Sequence, residues 1–505
     1  MGDGFAAILI PKTECARGET MTELHFKSAA ELSRMIQRKE IGSAELLEHF
    51  LARMEAHNPA LNAIIATDLE RARATAKQAD EALARGEIWG PLHGLPVTVK
   101  DAFELEGVAS TNGAPVHKAY VPAQDADAIA RMHRAGAVIF GKTNVPYLSG
   151  DLQSYNEIYG TTNNPWNLAL TPGGSSGGSA ASLAAGMTGL EIGSDIGGSI
   201  RTPAHFCGVY GHKPSFGIVP KRGAISLETG LLAEADLSVI GPMGRSTEDL
   251  SLLLELIADP IDPAASCWHL DLPPARAKAP GELRLAVWVE DPFCEIDIES
   301  AKLIHAAADR LEAEGARVDR EARPEMSLAE ITEIYLMLLH ANIAARMPEA
   351  IKTRFRDTAA SLPAEDKSHQ ALQARGATLS YADWLYWNER RAQMRAMWER
   401  FFTRYDAVLA PVLMRPAFPH DHASNWHKRS LAVNGKDRPY LDALIWAGPA
   451  VAAYLPATSV PVGLTSETLP VNAQVIGPFG GDRTTLAVAE MIEATSGGFR
   501  APPGY

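Results

Sequence analysis

Apolar residues recur at helical spacing between Ser28 and Ala56, at Leu32, Met35 and Ile36 and then at Leu46, Leu47, Phe50, Leu51 and Met54. The break Ile41-Gly42-Ser43 divides the stretch into two helices, with Ser43 as N-cap of the second and Asn58-Pro59 closing the pair. A third helix, rich in Ala, Arg and Glu, is predicted from Asp68 to Arg85, with Gly86 as its C-terminal cap. The period then changes. Val97 and Val99 mark a short buried strand that ends in Lys100-Asp101, and Ile129–Ala135 followed by Ala137-Val138-Ile139-Phe140 reads helix, glycine, strand. Further strands are predicted at Leu283–Val289, Ala316–Val318, Asp406–Pro411 and Ala457–Pro461, with an amphipathic helix at Ala301–Glu314. Helix dominates from Leu328 to Phe402, and its aromatic residues Trp384, Tyr386, Trp387 and Trp398 are expected in the core. The Pro-rich stretch Asp259–Pro280 reads as a linker or surface loop and not as a strong domain boundary. Helices alternating with short buried strands indicate the α/β class.

At 505 residues and 46% hydrophobic, the chain can bury a large core. Its formal net charge of −14 argues against a nucleic-acid or anionic-membrane partner. Cys15, Cys207, Cys267 and Cys294 are widely spaced with no CxxC pair, as expected of reduced, buried thiols in a cytoplasmic protein. No apolar run reaches the length of about 18 residues that a spanning helix needs. Residues 1–20 are expected to form a disordered extension to a domain covering 21–500. Their apolar run Phe5–Ile10 lacks a preceding basic region and is too short for a signal peptide, and Ala6 stands where myristoylation wants Ser or Thr.

Candidate chemistry concentrates between Thr171 and Arg201. Two serine-in-glycine clusters, Gly173-Gly174-Ser175-Ser176-Gly177-Gly178-Ser179 and Gly197-Gly198-Ser199, flank a small-residue segment of helical composition. Glycines beside a serine let another backbone or a substrate approach, and consecutive N–H groups can turn into one concavity that suits an oxyanion. A P-loop is excluded, since no Lys-Ser or Lys-Thr closes the glycine run. Gly174-x-Ser176-x-Gly178 fits a nucleophile elbow, which leaves a Ser-His-Asp esterase using Ser176 as an alternative without a motif for its Asp and His. Lys100, at the end of an apolar strand, is a candidate base if desolvation removes its proton. His420, Asp421, His422 and His427 lie close together, but their irregular spacing in a loop argues for a polar lip near the site rather than a metal centre, so neither metal nor cofactor is expected.

Taken together, the block GGSSGGSAAS…GSDIGGSIRTPAHFCGVYGHKPS, the strand GLPVTVKD, Gly141-Lys-Thr-Asn-Val-Pro146, Asn164-Pro-Trp166, Lys213-Pro214 and Pro470-Val-Asn-Ala-Gln474 resemble the amidase signature family, from about Ser28 to Gly480. This family includes bacterial amidases, aryl acylamidases, urethanases and the fatty acid amide hydrolase group. The resemblance implies a single large α/β domain with a central mixed, mostly parallel twisted sheet covered by helices on both faces. Its signature core would span about 90–220, with a helical insertion at about 328–402.

The resemblance also implies a catalytic triad in which Ser199 attacks the carbonyl, Ser175 bridges and Lys100 acts as base. It places a cis peptide bond before Ser175, and an oxyanion hole at the N–H groups of Ile196, Gly197, Gly198 and Ser199. Asp195 and Arg201 would shape the nucleophile turn by charge pairing, and Ser176 would steady Lys100. Tyr147, Leu148, Ser149, Tyr155 and Gly174 are candidate substrate-binding residues. The implied activity is hydrolysis of small apolar or aryl amides, and of esters or carbamates, by a monomer or homodimer without nucleic-acid or membrane partners. A second function fits the same family: the amidotransferase component that frees ammonia from glutamine in a tRNA-linked complex. Its nucleophile block usually reads DTGGS, where this chain has Asp195-Ile196-Gly197-Gly198-Ser199.

Overall fold

The computed structural model describes residues 24–505, so the extension expected at 1–20 lies outside the described residues. Three strands form a small sheet: β1 (Ile64–Thr67), β2 (Pro96–Lys100) and β3 (Val138–Thr143), in the order β1-β3-β2 with β2 parallel to β3. Every residue of β2 and β3 is buried, which explains their nearly continuous apolar and small character. A short hairpin, β4 (Tyr155–Asn156) with β5 (Gly160–Thr161), follows.

The large sheet takes β6 (Glu191–Asp195), β7 (Tyr210–Lys213), β8 (Val239–Gly244), β9 (Arg284–Val287), β10 (Arg317–Asp319) and β11 (Ala407–Pro411). After the hairpin β12 (Ser430–Val433) and β13 (Lys436–Pro439), it is completed by β14 (Ala457–Leu464) and β15 (Pro470–Ile476). The order is β10-β9-β11-β15-β14-β7-β8-β6. The sheet is mixed, as the resemblance implies, but it is not mostly parallel. Among the described residues, β10–β9 and β9–β11 run parallel and the other five pairings are antiparallel. Helical crossovers connect β9 to β10 and β10 to β11, whereas β14 and β15 form a hairpin and β8 returns between β6 and β7.

The first helix, Ala29–Gln37, is capped by Ser28, whose Oγ accepts the Glu31 N–H. Ser43 is not a cap. It is the first residue of the helix Ser43–Leu61 and donates its hydroxyl to Gly94 O at 2.6 Å. The capping acceptor is Asp80, from the next helix, which takes the N–H groups of Ser43 and Ala44 at 2.6 and 3.0 Å. Asn58 and Pro59 lie inside the last turn of this helix and do not end it. The chain leaves the helix at Asn62, in the left-handed region at φ 52°, with its N–H on Asn58 O. The third helix runs Leu69–Ala84 with Asp68 as N-cap and Gly86 at φ 83° just beyond it.

The stretch 328–402 resolves into four helices, Leu328–Ala344, Glu349–Ser361, His369–Gly376 and Tyr381–Phe401. Trp398 is fully buried, and Trp384 and Trp387 pack half-buried against the core, but Tyr386 is 59% exposed and leaves the expected cluster. One continuous hydrophobic cluster, reaching from Leu24 to Ile492, joins both sheets and their helices. Among the described residues, no helix is long and apolar enough to cross a membrane.

Candidate active site

Lys100 ends β2 with no exposed surface, and its Nζ lies 2.6 Å from Ser175 Oγ and 2.9 Å from Ser194 Oγ. Burial pushes its amine down to about 7, against the opposing pull of Asp195 and Glu191, so a neutral, proton-accepting form is available near neutrality. The second partner of Lys100 is therefore Ser194, on β6, and not Ser176. Among the described residues, the buried Ser176 Oγ has no hydrogen-bond partner, which also deprives an esterase reading of the base its serine needs.

The peptide bond between Gly174 and Ser175 is cis. A methyl group added at Gly174 would stand 2.5 Å from Asp151 O and 2.7 Å from Gln153 N, so only glycine fits against that backbone. The helix Gly177–Ala184 then starts directly after the serines, and the Ser176 N–H donates to Ser199 O at 3.1 Å. This bond ties the two serine clusters together through their backbones. Among the described residues, no hydrogen bond joins the Ser175 and Ser199 hydroxyls directly. Ser199 is 7% exposed where Ser175 is 1%, making Ser199 the more accessible residue of the pair.

Asp195 closes β6 and organises the turn that follows it. Its carboxylate accepts the N–H groups of Gly198 at 2.9 Å and Ile200 at 3.2 Å, and takes both Nε and Nη2 of Arg201 at 3.0 Å. Burial pushes this carboxyl up, but Arg201 outweighs it and the group settles at about 2, ionised. Arg201 in turn donates to Gln474 Oε1 at 2.6 Å, and Gln474 donates to the carbonyls of Pro411 and Trp446. The structure thus places Asp195 and Arg201 in contact with each other and with the turn that carries Ser199. The oxyanion set needs a correction, because the Gly198 N–H is spent on Asp195. The N–H groups of Ile196, Gly197 and Ser199 make no hydrogen bond among the described residues.

The predicted pocket residues divide. Leu148 and Ser149 form a left-handed turn, at φ 50° and 55°, held by Leu148 N–H to Asn112 O and Ser149 Oγ to Asn112 Oδ1. Tyr147, on the same turn, is 52% exposed. Tyr155 is knitted into a structural network: its hydroxyl meets Asp151 and Arg429 at 3.0 and 2.9 Å, and its ring stacks on His422 at 3.7 Å. Arg429 also pairs with Asp151, which receives the Tyr440 hydroxyl. This network braces the 151–153 backbone that packs on Gly174. His427 pairs with Gln373, and His420 lies against His422, so the four loop residues do not gather on one point. Among the described residues, no group of three or more His, Cys, Asp or Glu is placed to hold a metal ion.

Besides Ser194, the sequence reading missed three residues that stand over the turn 196–199. A methyl group at Gly197 would sit 3.1 Å from Leu444 Cδ2 and 3.3 Å from Tyr335 Oη, and one at Gly198 would sit 3.7 Å from Ala447 Cβ. Tyr335 donates its hydroxyl to Ile196 O at 3.0 Å. They lie far along the chain from Ser199, outside any local motif. Ser194 alone carried a local signal, being next to Asp195.

The profile of the amidase family matches residues 45–486. The chain is 33% identical over 502 residues to a glutamyl-tRNA(Gln) amidotransferase subunit of Methylococcus capsulatus, covering 95% of this chain and 99% of that one. Among solved structures, a bacterial aryl acylamidase of the amidase signature family superposes with a TM-score of 0.78 at 26% identity, over 94% of this chain and 96% of its own. A protein from a complex tied to the origins of an s-triazine catabolic enzyme gives the same TM-score and identity over 94% of this chain and 100% of its own. The amidotransferase relative overturns the expectation of a monomer or homodimer acting without other partners. The Methylococcus capsulatus protein, matched over nearly its full length, is by name one subunit of an amidotransferase that serves a tRNA.

Proposed function

The chain belongs to the amidase family, and on that premise we propose that it cleaves a carboxamide through an acyl-enzyme on Ser199, with Ser175 and Lys100 relaying the proton. The contact that carries this reading is Lys100 Nζ, buried and 2.6 Å from Ser175 Oγ. Ser199 Oγ bonds to the carbonyl carbon as its proton passes to Ser175, a contact that forms only when substrate enters, and from Ser175 to neutral Lys100. The negative charge moves onto the carbonyl oxygen, facing the N–H groups of Ile196, Gly197 and Ser199. When the intermediate collapses, the C–N bond breaks and the proton returns to the departing nitrogen. Water then attacks the acyl-enzyme and releases the carboxylic acid from Ser199. Esters and carbamates offer the same carbonyl with another leaving group and are substrates on the same logic.

Likeness to an amidotransferase component along nearly the whole chain supports glutamine as the amide and a multi-subunit assembly as the setting. A second reading is favoured by this chain's own residues. Leu444, Ala447 and Tyr335 crowd the nucleophile turn, and Ile196 stands where the amidotransferase block usually has Thr, a surround suited to an apolar or aryl acyl group. Both readings share the nucleophile and differ in the acyl pocket. Release of ammonia from glutamine, measured beside hydrolysis of matched aryl amides, esters and carbamates by wild type and S199A, separates them. Glutaminase activity lost in S199A supports the first reading. Turnover of aryl substrates without glutaminase activity supports the second, and undiminished activity in S199A contradicts both.

A further inference from the structure

The site contains a second buried acid that the relay does not use. Glu191 begins β6 with no exposed surface. Its carboxyl accepts the Thr98 hydroxyl at 2.5 Å and the Ile192 N–H at 3.2 Å, and faces the hydroxyls of Thr143 and Ser179, which are 2.9 Å apart. Among the described residues, no Lys, Arg or His lies within ion-pair distance of it. Thr98 and Lys100 are two residues apart on β2, so their side chains leave the same face of the strand. The acid is therefore hydrogen-bonded to the side chain that precedes Lys100 on its own face of β2.

Two anionic groups face Lys100, and they differ in how their charge is answered. Asp195 is neutralised by the two-point grip of Arg201, with Lys213 nearby. Glu191 has hydroxyl and amide donors but no cation, and burial pushes its carboxyl up to about 7 in spite of them. Lys100 is pushed down to about 7 by the same loss of water. A charged Glu191 holds the proton on Lys100, and a neutral Glu191 releases that hold.

We propose that Glu191, clasped by Thr98, is a positioning residue for the relay that sets how readily Lys100 becomes a base. The proposal rests on the reading of Lys100 as the base. It is tested by the rate at which an alkyl fluorophosphonate labels the enzyme as a function of pH, a readout that needs no knowledge of the substrate. Wild type should show a rise with pH that Lys100→Ala abolishes. Glu191→Gln, which keeps the shape and removes the charge, should move the midpoint of that rise to lower pH by about one unit, leaving the plateau within about twofold. Thr98→Val weakens the carboxylate and should move the midpoint in the same direction by less, while the double variant should shift no further than Glu191→Gln. Glu191→Asp should return the midpoint toward that of wild type. The Thr98→Val comparison is available even if Glu191→Gln fails to fold. An unmoved midpoint in either single variant, with the rise still dependent on Lys100, overturns the proposal alone. A rise that persists in Lys100→Ala overturns the reading beneath it as well.

Discussion

A lysine without exposed surface loses the hydration that stabilises its charge, and for Lys100 this brings the amine down to about 7. Below that value the relay is protonated and cannot accept from Ser175, so kcat/KM should rise with pH through about 7 and then level. Lys100→Ala should remove this limb and lower the rate by about 10²–10⁴-fold, the usual worth of a positioned general base. Asp195 shows the opposite outcome. Held at about 2 by Arg201, it contributes stability that is present above the ordinary carboxylate range and is lost as pH falls through about 2. Asp195→Asn leaves Arg201 buried without its counter-charge, and urea unfolding should report a loss of about 3–5 kcal/mol. These residues were legible because lysine, serine and aspartate stand in runs that have few other uses. The second partner of Lys100 was not. Ser176 and Ser194 are both serines beside a candidate site residue, and only the packing of β2 against β6 decides that Ser194 reaches the amine.

Elements bring distant stretches to bear on that site. The helix Leu328–Ala344 places Tyr335 against Ile196 O, so the helical stretch helps hold the turn that carries the free N–H groups. Tyr335→Phe removes one hydrogen bond, and kcat should fall by about fivefold with a stability loss of about 1 kcal/mol, read by steady-state kinetics and urea unfolding. Gly174→Ala meets backbone at Asp151 and Gln153, which cannot give way as a side chain can. That variant should lose labelling at Ser199 and unfold about 1–3 kcal/mol more easily. The sequence periodicity found β2 and β3 and the strands β9, β10, β11 and β14, which carry their burial pattern locally, but it gave no strand at β6, β7, β8 or β15 and no helix at Arg201–Cys207, where short runs mix glycine with polar residues. It misread Ser43 because the capping carboxylate comes from Asp80, and short apolar runs do not encode strand direction, so the antiparallel pairings of β14 and β15 left no local sign. Leu444 and Ala447 left no trace either, since their place over Gly197 and Gly198 depends on the whole chain's path.

At the scale of the molecule, the two sheets converge on the Lys100–Ser175 contact and the turn at 196–199. The small sheet delivers Lys100 through β2, the large sheet delivers Asp195 and the nucleophile turn through β6, and β15 adds Gln474 to brace Arg201. Family membership explains why these blocks occur in this order, and the covering residues Leu444, Ala447 and Tyr335 bear on which acyl group enters. The central claim is that Ser199 forms the covalent bond, and peptide mapping by mass spectrometry after fluorophosphonate labelling tests it most directly. The account predicts a single adduct on Ser199, absent from Ser199→Ala and strongly slowed in Lys100→Ala. An adduct on Ser175 or Ser176, or undiminished labelling of Ser199→Ala, would contradict it.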